Sequence, residues 1–157
     1  MNKAILHLMV GLPGSGKTTL AKQIEAAQGA IRLTPDEWQL PLFGPDFEHP
    51  DHDRRHTAVE QLMWQLAVKL LRLGLSVILD FGFWTRQERA WFFDQARLLG
   101  VGFHVHALNV TEEELLRRLA IRNADSQALA YAIGPEHLAA WFPLYEPVTE
   151  EELASYR

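Results

Sequence analysis

The 157-residue chain contains no cysteine. That absence excludes a disulfide framework, a thiolate metal centre and thiol redox chemistry, and nothing argues for an oxidising compartment. Positive charge is also scarce: 15 Lys and Arg stand against 20 Asp and Glu, a formal net charge of −5 at neutral pH. A non-specific nucleic-acid binder usually carries the opposite balance, so that class of partner is disfavoured, local basic patches aside. Long apolar runs are missing too. The stretch Ala4 to Val10 is seven residues long and runs into a glycine-rich loop, which fits neither a membrane span nor a signal peptide. A cytoplasmic protein with no membrane partner is the expectation. No internal repeat or low-complexity tract appears. What is present is a chain that is 48% apolar, enough for one packed core and too short for two full domains, so a single domain over 1–157 is expected.

Strand and helix signals alternate along the chain. The run AILHLMV (4–10) before Gly11 suits a strand buried on both faces of a parallel sheet. In KTTLAKQIEAA (17–27), Leu20, Ile24 and Ala27 fall at helical spacing, and Gly29 is a natural stop. A short strand AIRL (30–33) meets Thr34-Pro35-Asp36-Glu37, which reads as N-cap, first helical residue and capping box. Residues 41–53 have the proline, glycine and acid content of a loop. A long helix over 52–73 follows from Val59, Leu62, Met63, Leu66, Leu70 and Leu73, with Gly74 behind it. LSVILD (75–80) is a third strand, and Thr85 with Glu88 opens a helix to about Leu99. The β-forming segment 101–110 precedes a helix from Thr111 and Glu114 through Arg122; after it only helical fragments near 135–141 and 149–156 are visible, with no convincing fifth strand. The pattern implies an α/β fold with a parallel sheet of four or five strands, helices on both faces, and ligands at the carboxyl edge of the strands.

One motif carries specific chemistry. Gly11-Leu12-Pro13-Gly14-Ser15-Gly16-Lys17-Thr18 matches G-x-x-x-x-G-K-[ST], between an apolar strand and a helix start. In that setting backbone N–H groups of Gly11, Pro13's successor Gly14, Ser15 and Gly16 curl around phosphate oxygens, and the helix dipole adds to the field. Lys17 is the residue that reaches β- and γ-phosphates. Thr18 offers a hydroxyl to Mg²⁺, and Thr19 begins the helix beside it. The expected cofactors are therefore ATP and Mg²⁺.

Two acids and a group of arginines extend the site. Asp80 closes the run Val77-Ile78-Leu79, so its carboxylate emerges beside the phosphate loop, where an acid orients Mg²⁺; the plainer alternative is a cap on the turn before Gly82. Asp36 follows the second strand and is placed to act as general base on an acceptor hydroxyl, but an acid in a first helical turn is also stabilised by the helix dipole alone. Arg118 and Arg122 share a helical face and suit a clamp on shifting phosphate charge. Against this, Glu113 with Arg117 and Glu114 with Arg118 have the spacing of solvated surface pairs. His49, His52 and His56 lack strict zinc spacings and read as a polar or substrate-side helix entrance, together with Arg54, Arg55 and Glu60. The aromatics Phe81, Phe83, Trp84, Trp91, Phe92 and Phe93 read mostly as core, with Phe83 and Trp84 as candidate walls of an acceptor pocket.

GLPGSGKTTLA (11–21), TPDEW (34–38), LDFGFWTRQER (79–89) and LLRRLAIRN (115–123) together resemble the small P-loop kinases, a group that includes the polynucleotide 5′-hydroxyl kinase domain, chloramphenicol phosphotransferase, zeta toxins and many uncharacterised predicted kinases. The resemblance covers most of the chain. It implies a P-loop NTPase sheet with β1 between the third and fourth strands, an aspartate after the second strand as base, and an arginine-bearing lid; Asp36, Arg118 and Arg122 match those positions. Two departures matter. Polynucleotide kinases often carry an arginine three residues beyond the acid, where this chain has Gln39, which weakens a nucleic-acid acceptor. The missing fifth strand implies a trimmed version of the fold, and the ending FPLYEPVTEEE (142–152) is similar to the proline-containing tail of the uncharacterised predicted kinases. The implied activity is transfer of the γ-phosphoryl group of ATP to a hydroxyl of a small-molecule or nucleotide-like acceptor. Alternatives are a polynucleotide 5′-hydroxyl kinase and a nucleotide-binding regulatory or resistance protein without turnover.

Overall fold

The computed structural model describes residues 2–125, 127 and 130–157. Strand β1, Ile5–Val10, is buried on both faces because alternate side chains enter two different cores. Leu6, Leu8 and Val10 pack with Leu33, Val77, Leu79, Met63 and Phe92, whereas Met9 packs with Ile78, Ala21 and Ile24. The sheet adds β2 (Ile31–Leu33), β3 (Val77–Gly82) and β4 (Gly102–Ala107) in the order β2-β3-β1-β4, with every pairing parallel. Helix α1 (Lys17–Gln28) covers one face, and α3 (His52–Arg72) and α4 (Arg86–Leu99) cover the other. Helices α2 (Pro35–Phe43), α5 (Glu112–Ala124), α6 (Pro135–Trp141) and α7 (Glu150–Ser155), with a 3₁₀ turn at Phe142–Leu144, complete the described elements. β1 thus lies between the third and fourth strands, as the family resemblance implies, and no fifth strand occurs among the described residues. No described helix is long and apolar enough to cross a membrane.

Several boundaries differ from the sequence reading, each for a local reason. α2 runs on through Pro41 to Phe43, where a loop is expected. Pro41 stands in the last turn of a nine-residue helix, and Gly44 N–H bonds back to the Leu40 carbonyl to close it. Thr34 does stand at the N-cap of α2, but its hydroxyl does not cap. It donates instead to the Asp80 carboxylate at 3.0 Å, while Glu37 pairs with Arg32 at 2.9 Å, so the expected capping box does not form. A buried carboxylate is the stronger acceptor. By contrast, Thr85 and Thr111 cap α4 and α5 as expected, accepting from Glu88 and Glu114 N–H groups. β3 extends two residues past Asp80 to Gly82.

That extension shapes the sheet edge. Leu8 pairs with Leu79 but Val10 pairs with Gly82, so β3 carries one more residue than β1 across this step, and the slip falls at Asp80–Phe81. Gly82 then takes φ 107°, and its carbonyl accepts from Gly11 N–H at 3.0 Å. A Cβ there would lie 3.1 Å from the Trp84 indole nitrogen and 3.3 Å from the Gly11 carbonyl oxygen, so glycine is required on both grounds. Phe83 follows with φ 46°, an uncommon conformation for an aromatic residue. Its ring is 2% exposed and packs in the core, which corrects its reading as a pocket wall.

A buried ion pair braces this turn. Arg89 is fully buried, donates to both oxygens of Glu152 at 2.6 and 2.8 Å, and donates to the Phe83 carbonyl at 2.9 Å. Burial opposes the charge on Glu152, but the hydrogen bonds from Arg89 and Tyr156 prevail and hold its carboxyl below the ordinary range. The tail also bonds back through Glu146, whose N–H donates to the Trp84 carbonyl and whose carboxylate accepts from Arg86 N–H. On the far side of the sheet from this turn's core, His7 of β1 is buried and its Nδ1 lies 3.0 Å from His106 Nε2 of β4. Burial first, then the neighbouring His106 and His104 rings, lower His7 to about 4, so it is neutral at pH 7.

Breaking the buried pair leaves an uncompensated carboxylate. Arg89→Met should destabilise the fold by about 3–5 kcal/mol, and the double variant Arg89→Met/Glu152→Leu should recover a good part of that loss. Urea unfolding of the three proteins checks both statements, and equal stability of the single and double variants would contradict the second.

Candidate active site

The phosphate loop leaves β1 at Gly11 and enters α1 at Lys17. Its tight path rests on Gly14 at φ 86°, where a Cβ would come within 3.0 Å of the Leu119 side chain of α5. Ser15 N–H bonds to the Leu12 carbonyl at 3.1 Å, and the buried Ser15 hydroxyl finds no hydrogen-bond partner among the described residues. Lys17 Nζ donates to the Leu12 carbonyl at 3.1 Å, folding the ammonium over the loop. Burial, only partly offset by the Asp80 charge, holds that ammonium below its usual range, which favours a nearby anion.

Asp80 is the node of the site. Its Oδ2 accepts from Thr18 at 2.6 Å and from Thr34 at 3.0 Å, tying β3 to the first turn of α1 and to the end of β2. Its Oδ1 is buried and unpartnered among the described residues. Burial raises the Asp80 pKa, with Lys17 and the two threonine hydrogen bonds acting against that rise. Arg32 completes the network by donating to Thr34, Glu25 and Glu37 at 2.7, 3.0 and 2.9 Å. A hydroxyl and a carboxylate in contact, with a spare carboxylate oxygen beside them, form an all-oxygen donor set suited to a hard cation such as Mg²⁺.

Asp36 stands in the first turn of α2, facing the same space. Tyr131 N–H points at its Oδ2 from 3.4 Å. The Tyr131–Ile133 segment is held by Asn123, whose side chain accepts from Ile133 N–H at 3.2 Å and donates to Ile133 carbonyl at 2.7 Å. Arg122, one residue before, donates to the Tyr131 carbonyl at 3.2 Å, and its Nε is buried without a partner among the described residues. Burial lowers the Arg122 pKa, opposed only by Asp36. Arg118 reaches the loop directly, donating to the Ser15 carbonyl at 3.1 Å while also paired with Glu114 at 2.8 Å. Arg117 is exposed and bound to Glu114 three residues back, so the expected Glu113–Arg117 pair gives way to a Glu114 fork shared by two arginines.

Two cavities meet at these residues. One, about 380 Å³, is lined by Gly14, Gly16, Lys17, Thr18, Thr19, Lys22, Arg118 and Arg122. The other, about 330 Å³, is lined by Pro13, Lys17, Thr18, Asp36, Asp80 and Arg122 and walled by Phe47, His52, His56, Phe81, Trp84, Tyr131 and Trp141. Lys17, Thr18 and Arg122 belong to both. Of the expected residues, Lys17, Thr18, Asp36, Asp80 and Arg122 are thus gathered, Trp84 proves to be a wall, and His52 and His56 line the second cavity while His49 does not. Gln39 is fully buried, with His56 Nδ1 2.8 Å from its side-chain oxygen, so it does not face the cavity. Phe47 and Tyr131 escape the sequence reading because they come from segments without a periodic signal, and Asn123 of α5 and Trp141 of α6 escape it because helical spacing does not say what the ends of those helices meet.

The sheet, the loop and the acid at the end of β3 define a P-loop nucleotide-binding protein with a kinase-like fold. A model of the AAA domain matches residues 6–140, and the chain belongs to that family. The fold recurs in a protein of Chloroflexus aurantiacus J-10-fl provisionally described as a kinase, with TM-score 0.71, 20% identity, and coverage of 88% of this chain and 75% of that one. It recurs in a chain of the Pnkp1/Rnl/Hen1 RNA repair complex, with TM-score 0.68, 21% identity and coverage of 92% of this chain; the match spans 44% of the repair-complex chain. A third structure, APE1195, is 25% identical with TM-score 0.61, over 94% of this chain and 82% of that one. No curated protein matches the sequence significantly. The resemblance to small P-loop kinases thus holds for family and fold.

Lys17 lines both cavities, and its desolvated ammonium holds only the Leu12 carbonyl, so losing that charge costs the fold little. Lys17→Met should leave the melting temperature of the nucleotide-free protein within about 2 °C, an effect of roughly 0.5 kcal/mol, and should abolish the rise produced by MgATP. Differential scanning fluorimetry with and without nucleotide checks both halves.

Proposed function

We propose that this chain, acting as one domain over 1–157, is an ATP-dependent phosphotransferase that moves the γ-phosphoryl group to a hydroxyl of a compact acceptor. The observation that carries the reading is the meeting of two cavities at Lys17, Thr18 and Arg122, with the phosphate loop on one side and Asp36 on the other. A donor and an acceptor bound one in each cavity would meet across those three residues, the arrangement an in-line transfer needs. The wall of Phe47, Trp84, Tyr131 and Trp141 favours an acceptor with a flat or ring-bearing body and a few polar groups, a nucleoside-like or comparable small molecule.

In this reading the acceptor oxygen forms its bond to the γ-phosphorus as the bond from that phosphorus to the ADP oxygen breaks, and the hydroxyl proton passes to the Asp36 carboxylate. Lys17 and Arg122 face the charge moving through the γ-phosphate, and Arg118 closes from α5 beside them. The unpartnered guanidinium nitrogen of Arg122 is a donor in want of an anion. Thr18 and Asp80 would hold Mg²⁺, which when bound with ATP neutralises phosphate charge.

Labelled ATP with Mg²⁺, offered with sugars, nucleosides, aminoglycosides and a 5′-hydroxyl oligonucleotide, tests the proposal. Transfer to a small molecule is expected, with Asp36→Asn lowering kcat by about 10²–10⁴ at unchanged ATP affinity and Arg122→Ala lowering it by about 10²–10³. Full turnover in Asp36→Asn removes the base assignment. Label on the oligonucleotide alone replaces the small-molecule acceptor, and tight ATP binding without any product leaves a nucleotide-binding protein.

A further inference from the structure

A second chemically marked site lies on the sheet away from the phosphate loop. His7 of β1 and His104 of β4 are register partners in the parallel pairing, and His106 stands two residues further along β4 on the same face. Each ring brings one nitrogen into a group whose members all lie within 4.8 Å of one another. The burial is graded: His7 is fully enclosed, His106 is partly covered and His104 is exposed. β4 pairs with β1 alone in the sheet order, so the cluster opens to solvent past an edge strand. His7 is about three residues, or roughly 10 Å of strand, from the end of β1, which separates this cluster from the nucleotide site.

A hydrogen bond between His7 and His106 does not account for the arrangement. A neutral imidazole has one N–H and one lone pair, so within the 3.0 Å contact one ring donates and the other accepts. The nitrogen of His7 that faces His106 is Nδ1, the atom an ion shared by the two rings would take, whereas His7 Nε2 is buried without a partner among the described residues. Three imidazoles converging in a partly dry site, with no acid among them, match the donor set that divalent transition metals take, and not that of Mg²⁺. Zinc nitrogens at 2.0–2.1 Å in a tetrahedral site lie about 3.3–3.4 Å apart, so the His7–His106 pair is already near that spacing and the exposed His104 ring has the freedom to close the rest.

The geometry points to a zinc-class cation site formed by His7, His104 and His106, open to water at its fourth position. Bound there, the ion links the edge strand β4 to the central strand β1 through side chains, in addition to the backbone ladder.

The untagged full-length chain, stripped of metal, is titrated with Zn²⁺ and with Co²⁺, and with Mg²⁺ for comparison. One equivalent of Zn²⁺ should bind, Co²⁺ should give the visible bands of a low-coordinate nitrogen site, and Mg²⁺ should compete with neither. His104→Gln and His106→Gln, both on the solvent side of the cluster, should each weaken Zn²⁺ at least about tenfold and remove its effect on the melting temperature. His137→Gln, which removes a histidine paired with Glu48 and Glu136 elsewhere, should leave Zn²⁺ affinity unchanged. Because His7→Gln alters a buried residue and is prone to misfold, the two edge-strand variants decide. Failure to form a one-to-one complex, or undiminished Zn²⁺ affinity in both His104→Gln and His106→Gln relative to the unsubstituted chain, overturns the assignment whatever the outcome of the phosphotransfer assay.

Discussion

The structure depends on a carboxylate held at the end of a buried strand. Asp80 is 5% exposed, and burial alone would drive it toward protonation. It is held in place by hydroxyls that come from two other elements, Thr18 at the start of α1 and Thr34 at the end of β2. Three segments far apart in sequence are therefore fixed to one another at the carboxyl edge of the sheet. Removing any of the three would leave a buried polar group unpaired, which makes the arrangement specific as well as stable. The same constraint explains why Thr34 gives up its capping role and why Arg32 collects Glu25, Thr34 and Glu37: each adjusts to serve the acid.

Around that node, conformational strain and compensation sit side by side. The register slip at Asp80–Phe81 and the positive φ values at Gly82 and Phe83 turn the chain sharply as it leaves β3. Arg89 holds the Phe83 carbonyl and is itself held by Glu152 of α7, while Glu146 bonds the Trp84 carbonyl. The C-terminal segment thus acts as a brace behind the active edge. On the opposite side of the loop, α5 supplies Arg118 and Arg122; Arg122 holds the Tyr131 carbonyl, Asn123 holds Ile133 two residues on, and Tyr131 N–H faces Asp36. The proposed base, the proposed phosphate-facing arginines and the aromatic wall are thus held partly by one another, through Arg122 on the Tyr131 carbonyl and Tyr131 N–H toward Asp36.

Much of the fold was legible in local patterns. Strand β1, the loop after it, the long α3 and the capped starts of α4 and α5 follow from apolar spacing, glycine placement and Ser/Thr–Glu pairs, all of which act over a few residues. The candidate residues Lys17, Thr18, Asp80 and Asp36 were readable because the motif and the strand ends place them at one edge, and Arg122 because it shares a helical face with Arg118 and matches the arginine position of the resembling family. The reading failed where a long-range partner outbid a local one, at Thr34, and where packing overrode a local signal, at Pro41 and Phe83. It could not find Phe47, Tyr131 and Trp141, since an aromatic side chain in an irregular segment or at the end of a short helix looks alike whether it fills a core or lines a cavity. Nor could it find the His7–His104–His106 group, whose members are distant in sequence and meet only through the β1–β4 register.

Sequence by itself determined the class of chemistry available: a phosphate-binding loop between a strand and a helix, an acid at a strand end, no thiols, and alternating elements that commit the chain to a parallel sheet. These are properties of spacing and residue type, and they survive without knowledge of contacts. The tertiary structure decided which carboxylate is buried against which hydroxyl, which arginines turn inward, how the two cavities share Lys17, Thr18 and Arg122, and which histidines converge. Those outcomes depend on strand order and on competition among distant hydrogen-bond partners, and that competition is resolved only when the sheet has brought them within reach of one another.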